Sequence, residues 1–377
     1  MRPMLCVLVT SIAAAVASAS QRVRFGPGVC GPMDPVYIMG ATETGGQPFP
    51  MGTAEVSNLS RTMAASLLPQ MILWASGAAE SSYAIPVDPT VERIAFSATF
   101  DTAGGSLALI APDGAVVQQG ERIEDTPLNC GRIVTVDAPA SGQWQARVVP
   151  TGRFWLRVQA KSDVAMTAAE FVEPGDGTES GRLVRIDGQP IAGRPTTMRV
   201  SVSAGIRSAT FQLVSLDARP LQDVDLQSTG DREFSGAITL PTEPFRVLVT
   251  GSDESGHRSQ RIWPGLFHAE PVQIVPPHGE TALAGTEVPV TFTIRNHGPA
   301  VRLSLVASDQ RGKVVAVEPP TLDLEAGAEA SATVRLTVPA DAPPDSRASV
   351  RLTATREGKL AIGGFNSASK TLTVIRD

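Results

Sequence analysis

The feature that most restricts this chain is its punctuation: thirty prolines and 34 glycines are scattered through 377 residues. Proline removes a helix donor and clashes with the preceding turn, and glycine weakens a helix interior. From Pro69 onward the chain reads as short alternating segments separated by Pro, Gly, Asp and Ser, the pattern of antiparallel sandwiches. Against twelve Phe, four Trp and two Tyr, this abundance of breakers fits turns and edge strands better than helices. The fold class expected is mainly β.

The length exceeds what one hydrophobic core organises, which points to several domains of about 100 residues each. Apolar residues make up 42% and charged residues 19%, enough to bury real cores and too little charge for a disordered chain. The net charge of -6 is thinly spread, with no basic run, so nucleic acid is not expected as a partner. Arg2, an apolar stretch from Met4 to Val16 and the small-residue site Ala17-Ser18-Ala19 read as a secretory leader over residues 1–19. No later segment reaches the ~20 apolar residues of a spanning helix, so no membrane span is expected. The leader implies a secreted or extracellular protein, periplasmic or cell-surface if bacterial. In such a compartment Cys30 and Cys130 are free to pair, or they remain two separate small thiols.

Along the chain, residues 20–68 read as strand, turn and helix. Val36-Tyr37-Ile38-Met39 is β-leaning, Thr44 to Gln47 is a turn, and Val56, Leu59, Met63 and Leu67 fall at helical spacing. A β-sandwich follows over 69–172, with Pro112-Asp113-Gly114 as a hairpin turn. A linker from Glu173 to Gly181 leads to a second sandwich over 180–270, and Pro271 to Glu280 introduces a third over 280–377.

Catalytic chemistry finds little footing. His257, His268, His278 and His297 have no helical i, i+4 pairing and no ligand neighbour, so they read as loop or strand-edge residues. Gly251-Ser252-Asp253-Glu254-Ser255-Gly256 only superficially resembles a nucleophile elbow and reads as a hairpin turn. Asp223 and Asp225 are candidates for calcium and Asp253, Glu254 and His257 for a weak cation, with a solvated strand edge and a crowded turn as the plainer alternatives. Trp144 and Trp155 are expected to fill the first sandwich core. Asn58-Leu59-Ser60 is an N-glycosylation sequon inside the expected helix. No cofactor and no catalytic or metal-binding residue is expected.

Taken together, Asp34-Pro35-Val36-Tyr37, Ala41 to Phe49, Leu109 to Gly114, Ser141-Gly142-Gln143-Trp144 and Phe245 to Asp253 resemble the region that follows the von Willebrand factor A domain in hemicentin-like and VWA7-like extracellular proteins. The resemblance covers residues 34–270 and makes 20–68 the C-terminal strand and helix of an A domain. It departs in one respect: the Asp-x-Ser-x-Ser metal motif is missing, so metal-dependent adhesion does not carry over. Residues 285–375, through Val290 to Gly298, Leu322 to Gly327 and Thr333 to Ala340, resemble immunoglobulin-like modules of extracellular proteins. These resemblances imply tandem immunoglobulin-like β-sandwiches with a short N-terminal strand-helix remnant. The function expected is a non-enzymatic structural or adhesion-type protein that binds an extracellular protein or surface polymer. The alternative is a carbohydrate-binding accessory module, and a hydrolase would require converging acids or imidazoles.

Overall fold

The computed structural model describes residues 30–31, 33–174, 182–203, 206, 208–253, 255–279, 281–309, 313–357 and 363–376. The leader, most of the expected linker and Glu254 lie outside them. The described residues fall into two compact units. Glu170 and the chain before it join Met198–Gly236 and Pro244–Phe267 in the first, while Phe171–Thr197, Ala237–Glu243 and the chain from His268 form the second. The middle block is thus apportioned between the two.

The first unit opens with helix α1 (Pro35–Thr44), a 3-10 turn (Thr53–Asn58) and helix α2 (Leu59–Ser66). The strand expected at Val36–Met39 is therefore helix. The Asp34 carboxylate accepts from the Val36 amide, Pro35 occupies the first turn, and Gly45 closes the helix at φ 73. Capping and a proline at the first turn outweigh the β preference of four residues. At Gly45 a Cβ would come within 2.4 Å of the Pro264 carbonyl, so the helix end needs glycine for space as well as for its dihedral.

Strands β1 (Gln70–Gly77), β2 (Ser81–Val87), β3 (Arg93–Phe100), β4 (Ser106–Ile110), β5 (Ile123–Leu128), β6 (Gly131–Asp137), β7 (Gly142–Val149) and β8 (Phe154–Lys161) form the first sandwich. One sheet has the order β1-β8-β3-β6-β5 and the other β2-β7-β4. The inward residues of β8 are Phe154, Leu156, Val158 and Ala160, packed with Phe96, Phe100, Ile85 and Trp144. Trp144 stacks on Phe96 at 5.7 Å. After β4 the Pro112-Asp113-Gly114 turn closes tightly, with Gly114 at φ 85, but the returning chain makes only the bridge Ile110↔Val116.

The middle block supplies β9 (Met166–Pro174), β10 (Leu183–Arg185), β11 (Pro195–Val202), β12 (Thr210–Val214), β13 (Pro220–Val224), β14 (Gln227–Ser228), β15 (Glu233–Thr239), β16 (Arg246–Ser252) and β17 (Arg258–Ile262). The sheet β13-β12-β16-β17 lies wholly in the first unit. It is fixed to the first sandwich there. The Ser76 amide donates to the Leu216 carbonyl at 2.7 Å, and Gln260 Nε2 donates to the Ile72 carbonyl at 2.9 Å.

The second unit contains β18 (Val272–Val275), β19 (Thr281–Leu283), β20 (Glu287–Asn296), β21 (Val301–Asp309), β22 (Val314–Glu318), β23 (Thr321–Leu324), β24 (Glu329–Thr337), β25 (Arg347–Arg356) and β26 (Phe365–Ile375). The sheets β18-β20-β24-β22 and β19-β26-β25-β21-β23 enclose a core in which Phe292 is the one buried aromatic among aliphatic residues. Between β22 and β23 the chain passes from one sheet to the other across Pro319-Pro320.

Candidate functional site

Side chains alternate across a strand, so the neighbours of the inward β8 residues face the other way. Trp155, Arg157 and Gln159 accordingly lie on the outer face of the five-stranded sheet. Trp155 is buried, yet it belongs to a separate cluster with Met33, Met71, Trp74, Val214 and Ile262. It does not fill the sandwich core as expected, because its strand is covered on both faces. Only Trp144 sits in that core.

What covers this outer face is in large part the N-terminal segment. Phe49, Met51 and Ala65 pack on Ala95 and Ile133. Gln47 Nε2 donates to the Ser97 carbonyl, Thr99 Oγ1 and the Trp155 carbonyl at 3.0, 3.1 and 2.9 Å. Trp74 Nε1 donates to the Gly46 carbonyl, and Gln159 Nε2 to the Leu68 carbonyl. The buried Glu55 carboxylate accepts from the Asn129 amide at 2.7 Å and from its side chain at 3.0 Å. Beside that contact Cys30 and Cys130 form a disulfide, their Cα atoms 5.5 Å apart. Residues 33–68 thus form a cap that is bonded at many points to the sheet beneath it.

Two arginines, one buried and one half-buried, complete the attachment. Arg246 on β16 is fully buried, stacks over the Trp74 ring at 4.4 Å, and donates to the Thr42 carbonyl in the last turn of α1 and to the Pro264 carbonyl. Arg157 on β8 is the register partner of Trp74, and its Nη2 donates at 3.4 Å to the carbonyl of Ser66, the last residue of α2. Each guanidinium therefore meets the carbonyl end of a helix, which carries partial negative charge. Burial pushes Arg246 down to about 9, against the field of Glu43 and helped by that of Arg157; burial likewise pushes Arg157 down to about 10. Both stay charged at neutral pH.

A second fully buried arginine, Arg261 on β17, pairs with buried Asp88 at 2.8 Å and donates to the Val164 carbonyl at 2.7 Å. The sequence reading passed over all three. For Arg157 and Arg246 the signal is an arginine inside an otherwise apolar strand run, as in Phe245-Arg246-Val247-Leu248-Val249, whereas Arg261 sits in the polar strand Arg258–Ile262 and has no such signal.

The ridge Val56, Leu59, Met63 and Leu67 does not face the sheet. Glu55, Thr62 and Ala65 do, while Leu67 is 64% exposed. Asn58 lies at the start of α2, partly exposed, and its side chain makes no capping bond. Asp223 and Asp225 accept from different glutamines, Gln212 and Gln227. In the turn between β16 and β17 Asp253 accepts from the Ser255 and His257 amides and contacts the His257 ring at 2.9 Å, a self-contained hairpin. Among the described residues no group of three metal-ligating side chains assembles, and no helix is long and apolar enough to cross a membrane.

Of the four histidines, His268 departs from the loop reading by being buried. Its Nδ1 lies 2.8 Å from Glu270 Oε1. Glu270, also buried, accepts from the Gly364 amide at 2.7 Å and lies 3.3 Å from Arg356. Nearby, Asn366 accepts from the Gln189 amide and donates to the Gln189 and Val272 carbonyls. This network ties residues 187–191 to the start of the C-terminal module, all within the second unit.

Residues 272–376 match the family model of the VWA7 Ig-like domain. The match falls where a general immunoglobulin-like module was expected and does not extend to residues 34–270. No curated protein matches the chain. Among solved structures, Bacillus licheniformis lipase BlEst2 in its propeptide form is 10% identical, with 69% of this chain and 44% of that chain covered and a TM-score of 0.26. Native E. coli alpha-2-macroglobulin is 11% identical, with 82% and 23% covered and a TM-score of 0.28. A three-Ig structure of titin is 11% identical, with 82% and 99% covered and a TM-score of 0.18. The chain spans less than half the length of the lipase and less than a quarter of the macroglobulin. Scores this low carry no argument about activity.

Proposed function

We propose that this chain is an exported, non-enzymatic adhesion-type protein whose β-sandwiches present preformed surfaces to another protein. The observation that carries the reading is the VWA7 Ig-like module at 272–376, downstream of further β-sandwich structure. The buried ionisable groups support it. Asp88, Arg246, Arg261, Glu55 and Glu270 are each bonded to a neighbouring element, an arrangement that braces a scaffold. Loops and sheet surfaces on a braced scaffold are suited to recognition. The module match also supports reading residues 34–270 as the stretch that precedes such a module in a VWA7-like protein. The carbohydrate-binding alternative draws no support from Trp74, Trp144 and Trp155, which are buried, and a half-buried Trp263 alone makes no row of stacking aromatics.

Immobilised mature chain, exposed to cell-surface extract, is expected to retain one protein that rebinds saturably once purified. Saturable binding on a glycan array with no protein retained would replace this reading by the carbohydrate one.

A further inference from the structure

Three basic side chains gather at the end of the sheet where β18 begins and β20 finishes, all within the second unit. His297 follows β20 directly, and its amide donates to the Pro271 carbonyl at 2.7 Å. Arg295 lies on β20 as the register partner of Gln273 on β18, its side chain 47% exposed. Arg194 comes from a separate stretch. The bridge Ile191↔Glu270 and the Ala192 amide, which donates to the Glu270 carbonyl at 3.0 Å, bring the chain leading to Arg194 beside Pro271. Arg194 itself is exposed.

Such a grouping is unfavourable by itself, since like charges brought together repel. Burial first, and then the fields of Arg194 and Arg295, hold the half-buried His297 imidazole below its usual range. Among the described residues the carboxylate bonded to this group is Glu329, 3.0 Å from Arg295 Nε, and both side chains are exposed. An exposed pair of this kind is worth little and is screened by water and salt. The patch therefore keeps an excess of positive charge in a chain whose net charge is -6. His297 Nε2 lies 3.1 Å from Gln273 Oε1, an oxygen that only accepts, so Nε2 donates and Nδ1 is the nitrogen that takes up a further proton.

Planar guanidinium forks match the paired oxygens of a carboxylate. We propose that Arg194, Arg295 and His297 form a binding site for a short carboxylate-rich segment of the protein that this chain adheres to. The assignment rests on the adhesion reading above and names the chemistry its partner brings. A polyanionic polysaccharide would call for a long basic track, whereas three groups at one end of a sheet fit a short acidic segment. Carboxylates seated there offset the repulsion among the three and favour the protonated form of His297. Binding therefore takes up a proton and tightens as pH falls.

The test is fluorescence anisotropy of a labelled oligo-aspartate peptide titrated with the full mature chain at low ionic strength. Saturable binding is expected, weakening with added salt and tightening from about pH 8 to about pH 6, a range in which the aspartates stay ionised. Arg194→Glu should weaken it about tenfold by replacing an attraction with a repulsion. His297→Gln should keep most of the binding and abolish its pH dependence, which loss of a merely structural residue would not do. Arg347→Glu makes the same charge change at an exposed position on the other sheet of the module and should leave binding nearly unchanged. Thermal melting of each variant confirms an intact fold. No saturable binding, equal losses from Arg194→Glu and Arg347→Glu, or a polygalacturonate that binds where the peptide does not, overturns the site. If a chain that fails with the peptide still retains a purified surface protein, the adhesion reading survives and only this site falls.

Discussion

The two units bury polar groups in different ways. In the first, the buried clips span long stretches of sequence: Arg246 reaches Thr42, 204 residues away, Arg261 reaches Asp88 across 173, and Gln47 reaches Trp155 across 108. Its core is built around Phe96, Phe100, Phe154 and Trp144. In the C-terminal module the core is aliphatic and the strands pair in long ladders, β20 with β24 and β25 with β26. The difference teaches where each unit places its clips: in the first they join a helical cap and two sheets, whereas in the second Glu270 to Gly364 and Asn366 to Gln189 fasten residues 187–191 to a module whose own strands pair in long ladders.

Three substitutions sharpen that contrast, in descending order of effect. Asp88→Ala leaves the Arg261 guanidinium buried without its carboxylate, and is expected to cost about 3–5 kcal/mol. In chemical denaturation the first unit's transition should move while that of the C-terminal module stays in place. Removing the disulfide with Cys30→Ala/Cys130→Ala frees a loop whose ends are 100 residues apart and should cost about 2–4 kcal/mol in the same transition. In the second unit Glu270→Ala strands the Gly364 amide and the His268 ring contact, at about 2–3 kcal/mol, and should move the other transition. If any one of the three shifts both transitions equally, the two units are not separate in their energetics.

The same contrast explains what was legible in the sequence. Inward and outward residues alternate along β7 and β24, and such period-two patterning reports a half-buried face that is legible in the sequence. The C-terminal module was legible as a whole for that reason. At the cap the reading failed twice. Val36–Met39 looked like a strand, although Asp34-Pro35 before it and Gly45 after it are helix start and stop signals. The Val56, Leu59, Met63 and Leu67 spacing marked a helix, but the buried face belongs to Glu55, Thr62 and Ala65, with Glu55 bonded to Asn129 and Ala65 packed on Ala95 and Ile133. Arg157, Arg246 and Arg261 acquire their meaning from partners far away in sequence, which no local pattern encodes.

A smaller effect follows from the exposed ridge. Leu67→Ser should change stability by less than about 0.5 kcal/mol, since Leu67 covers nothing. A large loss would place that side chain against the protein and not in solvent.

Native-state hydrogen exchange across a denaturant series tests the central claim most directly, namely that the N-terminal cap is an integral part of the first unit. The amides of α1 and α2 should merge with those of β3 and β8 into one opening isotherm, separate from the isotherm of β20 and β24. Cap amides that exchange through a low-energy local opening, with β3 and β8 still protected, would contradict it.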